Sequence, residues 1–578
     1  MKMKENILLF DGAMGTYYSI CYPDDTSKCE WANINHPERI IKIYNEYIAA
    51  GANAIKTNTF AATPKALECD IAQIKNIIKS AWDNASKAAE NKNCKIFADL
   101  CPIDEQKEDV YAVLDEFLNL GATNFLFETL ADDTNLSDFT AYIKSKCSDA
   151  YIIASFAVTP DGFTRHGLAA HNLIKRVCED ENLNAVGLNC VSGPLHLLQT
   201  TKTLDIQNLG KTFSVMPNAG YPTVIDGRTV FDSSPNYFAE RCSELVKIGV
   251  NIIGGCCGTT PEHIKQVSRK LDGKLITKNM TPVEKDKKPD FTNVKNRLAD
   301  KIKQGKRIIA VELDPPADSN IEKFMDGARK LKQMGVDAVT IADCPVARVR
   351  VDSSLLAAKL HRELDLDPIP HMTCRDRNIN ATKALLLGLS VEGVQNVLVV
   401  TGDPVPSAAK DEVKAVFSFN SVVLADYIRQ LSEDGLCSQF SVYGALNVNA
   451  KNFDAELRKA VRKQNAGVCA FLTQPVYTER AFENLKKAYD TLDAKILGGI
   501  IPIVSHRNAL FMSQEMAGID IPEDIVNMYE GLDRDSAEEL AVKLSVDVAN
   551  RMHDFTDGLY LITPFQRVSL IEKILQKL

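Results

Sequence analysis

The sequence predicts an α/β protein built as two tandem (β/α)8, or TIM, barrels joined by a charged linker. Three observations carry that expectation. The chain has 578 residues, too many for one hydrophobic core. Each half contains eight short apolar runs separated by amphipathic stretches of helical length, the pattern of buried parallel strands and crossover helices. A charged, proline-containing stretch, KNMTPVEKDKKPDFTNVKNR at 278–297, divides the halves. The expected domains are a barrel over 1–275, a linker over 276–300 and a barrel over 301–578. A doubly wound open sheet is the alternative for either half, but neither carries a G-x-G-x-x-G or G-x-x-x-x-G-K-[ST] nucleotide loop.

In the first half the strand-like runs are NILLFDG (6–12), AIKTNTF (54–60), KIFADLC (95–101), NFLFETL (124–130), YIIASFAV (151–158), AVGLNC (185–190), FSVMPNA (213–219) and NIIGGCC (251–257). In the second they are RIIAVELDPP (307–316), AVTIADC (338–344), IPHMTC (369–374), VLVVTGD (397–403), FSVYGALN (440–447), AFLTQPVY (470–477), ILGGIIPI (496–503) and GLYLIT (558–563). Polar residues gather at the C-terminal ends of these runs, which in a barrel form the active face.

The composition is that of an ordinary globular protein, with 45% hydrophobic and 25% charged residues. A net charge of −9 argues against nucleic acid or an anionic membrane as partner. No run approaches the roughly 18 apolar residues of a membrane span, and the apolar run before Asp11 is too short for a secretory signal. A cytoplasmic location follows as the expectation, with the fifteen cysteines reduced and available for metal or catalysis rather than disulfides. Whether the chain forms a homo-oligomer is open.

Cys190, Cys256 and Cys257 fall at the ends of the sixth and eighth runs, on one rim of a barrel. Three thiolates and an open position compose a catalytic zinc set, and the flanking glycines free the backbone to turn both adjacent sulfurs toward one ion. Three small buried packing residues is the equally weighted alternative.

Gly187-Leu188-Asn189-Cys190 and the run Gly254–Thr259, together with DGAMGT (11–16), TNTF (57–60), FET (127–129) and PNAG (217–220), resemble the homocysteine S-methyltransferase family over nearly all of residues 1–275. The resemblance implies Zn²⁺ on Cys190, Cys256 and Cys257, homocysteine sulfur as the fourth ligand, and methyl transfer to give methionine. Glu128 is the implied anchor of the homocysteine ammonium and Asp11 a second polar contact, while Asn58 and Asn218 hold polar groups near the rim. The third run departs from the family in ADLCP, where Asp99 stands as a substitute polar group and Cys101 would crowd the site. The methyl donor stays open among S-adenosylmethionine, S-methylmethionine and a methylfolate. No histidine here follows an aspartate by two positions, so the D-x-H-x-x-G mark of a cobalamin module is absent from this sequence.

In the second half, VELDPP (311–316) puts Glu312 at the end of a buried run, where desolvation would raise its pKa and suit it to act as an acid. From the residues alone this is a polar ligand site. PHMTC (370–374), TGDP (401–404), AGVCAFLTQP (466–475), GGIIPI (498–503) and YEGLD (529–533) resemble the methylenetetrahydrofolate reductase family over nearly all of residues 300–578. That implies FAD contacted by Thr340, His371, Asp403, Tyr443 and Lys463, folate contacts from Gln474 and Arg567, Glu312 as the acid that opens the folate imidazolidine ring, and NAD(P)H as reductant. Departures are Thr401 where relatives often carry arginine, Pro475-Val476-Tyr477 in place of a Phe-rich run, and Asn447 where some carry histidine. The expected function is therefore a bifunctional enzyme that reduces 5,10-methylenetetrahydrofolate to 5-methyltetrahydrofolate and methylates homocysteine. The alternative is a homocysteine methyltransferase whose C-terminal half is a folate-binding or regulatory module without reductase activity.

Overall fold

A computed structural model describes residues 7–102, 105–225, 228–231, 234–271, 296–403, 416, 419–516 and 518–578. The chain divides into two compact units, 1–286 and 287–578. Most of the expected linker, 276–295, lies outside the described residues; its last part, from Arg297, opens the helix Arg297–Lys303, whose first turn is capped by the Asn296 side chain.

The first unit is an eight-stranded parallel barrel. Its strands are β1 (Leu8–Leu9), β2 (Ala54–Lys56), β3 (Lys95–Leu100), β4 (Asn124–Leu130), β5 (Tyr151–Phe156), β6 (Ala185–Asn189), β7 (Thr212–Met216) and, after a small antiparallel hairpin of β8 (Pro222–Ile225) and β9 (Arg228–Phe231), β10 (Ile252–Ile253). The order runs β1-β10-β7-β6-β5-β4-β3-β2, and a parallel bridge between Phe10 and Ala54 closes the ring. The second unit is a closed barrel of β11 (Ile308–Leu313), β12 (Ala338–Ile341), β13 (Pro368–Thr373), β14 (Asn396–Val400), β15 (Ser441–Leu446), β16 (Val468–Pro475), β17 (Lys495–Ile500) and β18 (Gly558–Ile562), with β18 paired back to β11. The tandem-barrel expectation holds, and the open-sheet alternative does not. Among the described residues no helix is long and apolar enough to cross a membrane.

Alternation along the strands builds two cores per barrel. In the first unit one inward residue per strand, Phe10, Ala54, Phe97, Leu126, Ile153, Ala185, Met216 and Ile252, fills the interior. The outward residues, such as Ile55, Ala98 and Val186, pack with the amphipathic helices in a larger cluster. The second barrel is plugged in the same way by Ala310, Ala338, Ile369, Leu398, Tyr443, Ala470, Leu472, Leu497 and Tyr560, with Leu298 of the helix Arg297–Lys303.

The period of two then dictates what stands above each plug. Two residues beyond the interior layer come Lys56, Asp99, Glu128, Asn218 and Gly254 in the first barrel. In the second they are Glu312, Thr340, His371, Val400, Ala445 and Gln474. The candidate sites are these second layers.

Candidate active sites at the two barrel mouths

In the first barrel the sulfurs of Cys190, Cys256 and Cys257 lie within 4.8 Å of one another, and Cys190 Sγ is 3.7 Å from Cys257 Sγ. Local backbone makes this convergence. Cys190 and Val191 both take left-handed conformations, with φ of 57° and 59°, turning the chain sharply as β6 ends. Gly254 and Gly255 let the other loop pass close: a Cβ on Gly254 would lie 2.7 Å from Phe10 Cβ, and one on Gly255 would lie 2.4 Å from Thr259 Oγ1. The loop is then pinned by Cys256 N–H to Pro217 O (2.8 Å), Ala219 N–H to Cys257 O (2.9 Å) and the Thr259 hydroxyl to Cys256 O (2.7 Å). Hydrogen bonds from Cys256 and Cys257 push the Cys190 thiol down to about 3, and the same hydrogen bonds to Cys190, reinforced by burial, push both partners up.

Around the sulfurs stands a buried acidic set. Asp11, Asp99 and Glu128 are each at most 5% exposed. Asn189, the residue before Cys190, donates to Glu128 Oε2 (2.9 Å) and to Thr129 Oγ1 (2.9 Å), and accepts from Thr129 N–H, so one amide ties β6 to β4. Burial raises the Asp11 carboxyl to about 6 against the opposing pull of Lys56. Burial also raises Asp99, reinforced by Glu128. Lys56 was not singled out by the sequence reading, yet it is central. Its ammonium lies 3.5 Å from Asp11 Oδ1 and donates to Gly255 O (3.3 Å), while its own N–H donates to the other Asp11 oxygen. Burial opposes its charge, but Glu128, Asp11, Cys256 and Asp99 together outweigh that and raise it. The legible signal was a lone lysine inside an otherwise apolar strand.

Asn58 is buried, but its amide donates to Cys29 O (2.7 Å) and Asn33 Oδ1 (3.2 Å) and accepts from the Cys29 thiol, so it holds the Cys29–Asn35 segment in place. Asn218 is buried with its Oδ1 unpartnered, whereas Asp11 Oδ1 faces the Lys56 ammonium and Asp99 leans on Glu128. Cys101 lines a small side cleft with Asp99, Thr59, Thr63 and Glu105.

In the second barrel Glu312, His371, Thr340 and Tyr560 come together. Tyr560 donates its phenol to Glu312 Oε2, and His371 Nε2 stands 3.5 Å from the same oxygen. Burial, with Asp314 adding repulsion, raises the Glu312 carboxyl to about 8; Tyr560 and Thr340 act against this. Burial lowers His371 to about 4, opposed by Asp343. Thr340 stands against Glu312 and Tyr560, while the Tyr443 phenol and the Thr563 hydroxyl are buried without a hydrogen-bond partner and His371 Nε2 has only the Glu312 oxygen at 3.5 Å. Lys463, on the helix Phe453–Asn465, is buried, and its ammonium donates to Ala445 O (2.8 Å), with burial lowering it to about 8. Asp403 is exposed beyond β14, and its carbonyl accepts from Arg375 (2.9 Å). Gln474 closes β16 half-buried, and Arg567 follows the single turn Pro564–Gln566 after β18.

Residues 8–271 match the homocysteine S-methyltransferase family, and residues 297–578 match the methylenetetrahydrofolate reductase family. Each half of the chain thus matches the model of one of the two families. These are enzyme families, the first of methyltransferases and the second of oxidoreductases, in methionine and folate metabolism. Among curated relatives, methionine synthase of Mycobacterium tuberculosis is 26% identical over 295 residues, covering 46% of this chain and 25% of that protein. The chain thus spans about a quarter of that relative's length. Solved structures similar to it include the Escherichia coli homocysteine methyltransferase MmuM in oxidized and metallated forms, 20% and 21% identical, each covering 46% of this chain and 97% of that one at a TM-score of 0.39.

Proposed function

We propose that the first barrel transfers a methyl group to homocysteine, giving methionine, and that the second reduces 5,10-methylenetetrahydrofolate to 5-methyltetrahydrofolate with FAD and NAD(P)H. The observation that carries the first half is the three-sulfur cluster at the same mouth as the buried acids. Two sulfurs on a tetrahedral zinc with bonds near 2.3 Å stand about 3.8 Å apart, and Cys190 and Cys257 are already 3.7 Å apart. The donor set therefore fits Zn²⁺, held by Cys190, Cys256 and Cys257. When bound, the ion supplies a deprotonated substrate sulfur at neutral pH, where a free thiol is mostly protonated. The chain's own residues bind and orient. Glu128, fixed by Asn189, and Asp11, fixed by Lys56, offer carboxylate oxygens to the substrate ammonium. The unpartnered Asn218 Oδ1 offers a further acceptor. The substrate sulfur forms a bond to the donor's methyl carbon as the donor's own bond to that carbon breaks.

For the second barrel, the buried polar atoms of His371 and Thr563, with Thr340 beside them and Tyr443 in the plug beneath, fit a polar heterocycle lying across the mouth, and we assign that place to the flavin. When bound, the flavin supplies the hydride. Glu312, protonated at neutral pH, donates its proton to the folate nitrogen as the imidazolidine ring opens. Gln474 and Arg567 are assigned to the folate, Asp403 and Lys463 to the flavin.

The test is one purification. Zinc content and visible absorption of the full chain should show about one zinc and a flavin spectrum bleached by NADH or NADPH. Zinc without flavin would leave the methyltransferase and reduce the second barrel to a folate-binding module. Flavin without zinc would return the cysteines to packing.

A further inference from the structure

Tyr560 belongs to the interior plug of the second barrel, on β18, and faces β11 across the seam that closes the ring. Ala310 is its register partner, and Glu312 lies two residues further along the same face. A phenylalanine would fill that plug equally well. A tyrosine there buries a hydroxyl, which is costly without a partner. Its partner is Glu312 Oε2, and His371 Nε2 approaches that same oxygen at 3.5 Å.

We propose that Tyr560 is the positioning residue of the Glu312 acid: its phenol holds Oε2, so that Oε1 carries the proton and presents it at the barrel mouth. This rests on the reading of the second barrel as a folate reductase. The groups facing the carboxyl are Asp314 on its own strand, Thr340 on β12, His371 on β13 and Tyr560 on β18, with Arg350 acting on Asp314 and Asp343 on His371. Asp314 and burial favour the protonated acid; the Tyr560 hydrogen bond favours the ionised one. Tyr560 thus fixes the rotamer and keeps the acid from becoming too weak to give up its proton.

The test is an infrared titration of the protonated carboxyl in the purified full-length chain, before flavin is added, with Glu312→Gln as the blank that identifies the band. Tyr560→Phe should move the midpoint upward by about one unit, the worth of one hydrogen bond to a charged acceptor. The upper pH limb of folate reduction should move with it. An unmoved midpoint in a folded Tyr560→Phe chain would overturn the proposal. Should that variant not fold, 3-fluorotyrosine at 560, a stronger donor, must move the midpoint downward, and no movement overturns the proposal equally. Failure of the reductase reading looks different: the unaltered, flavin-loaded chain would then show no folate reduction at any pH, while the infrared midpoint would still report on Tyr560.

Discussion

The two barrels place their chemistry in the same layer and solve opposite electrostatic problems there. Above the plug of the first barrel stand Lys56, Asp99 and Glu128, joined by Asp11 and three sulfurs. Above the plug of the second stands one carboxyl, Glu312, among Thr340, His371, Val400 and Ala445. The first mouth buries many charges and compensates them, with a lysine between carboxylates and a cluster able to take a cation. The second pairs its buried Asp343 with Arg377 but leaves Glu312 beside Asp314 and a His371 that burial holds neutral, so Glu312 keeps its proton up to about pH 8. Compensation suits a site that must hold ionised ligands; isolation suits a site that must hold a proton. The same fold serves both because the layer above a packed plug, and the loops that rim it, can carry either set of side chains without disturbing the barrel.

The largest effect should come from the sulfurs. Cys256→Ala removes a buried donor from the cluster, and zinc content should fall from about one per chain to none, with methyl transfer at background. Folate reduction should be untouched, because the second barrel has its own core. Loss of both activities would break the comparison by showing that the barrels do not work separately. Next comes Glu312→Gln, which should cut folate reduction by about 10²–10⁴-fold with methyl transfer unchanged. The pH dependence carries its own sign. Glu312 is ordinarily a 4.5 acid and is raised to about 8 in the fold, so the folded chain holds the proton over that window. Its contribution to stability is therefore full below about 4.5 and lost as pH rises through about 8. Glu312→Gln should remove that loss, making the variant relatively more stable at pH 9 than at pH 5 in urea unfolding.

Much of this was legible in one dimension. The alternation Ala54-Lys56, Phe97-Asp99, Leu126-Glu128 and Ala310-Glu312 places polar groups on the inward face of runs that otherwise read as core, and the cysteine pair sits at such a run's end. What stayed hidden depends on partners far away in sequence. Tyr560 reads as a core aromatic in GLYLIT until barrel closure brings it to a residue 248 positions earlier. Asn58 reads as a rim amide, and nothing local shows that the segment from Cys29 to Asn35 returns to occupy it. The hairpin of β8 and β9 also went unread, because antiparallel pairing across one turn adds nothing to the strand count of a parallel barrel.

Lys56 sharpens the comparison by an energy rather than a rate. Its side chain is 8% exposed and that of Asp11 is 2% exposed, so the pair is buried. Lys56→Met leaves the acidic set without its cation and should destabilise the first barrel by about 3 kcal/mol in urea unfolding. Adding Asp11→Asn should recover part of that loss, since the two are coupled. No such penalty is expected for Gln474→Met in the second mouth, where no buried ion pair is broken. Equal costs would mean that compensation is not what distinguishes the two layers.

The smallest effect tests whether the sulfur cluster is preorganised by its ligands or by the loop that carries them. Thr259 accepts from Ala13 N–H (3.0 Å) and donates to Cys256 O (2.7 Å), clasping the cysteine loop to the turn after β1. Tyr47 reinforces the clasp through Ala13 O (2.7 Å) and Thr259 O (3.1 Å). Thr259→Val keeps the shape but strands the Ala13 donor, at a cost of about 1–2 kcal/mol. Cys256 O still accepts from the Thr259 N–H, so the loop keeps one of its ties. The left-handed turn at Cys190 and the close passage of Gly254 past Phe10 are untouched. Zinc should therefore remain stoichiometric in Thr259→Val while the melting temperature drops, as metal analysis and a thermal melt on one sample would show. Zinc lost together with stability would place the organising force in the clasp rather than in the turns that aim the sulfurs, and the first mouth would then depend on its loops as the second depends on the seam at Tyr560.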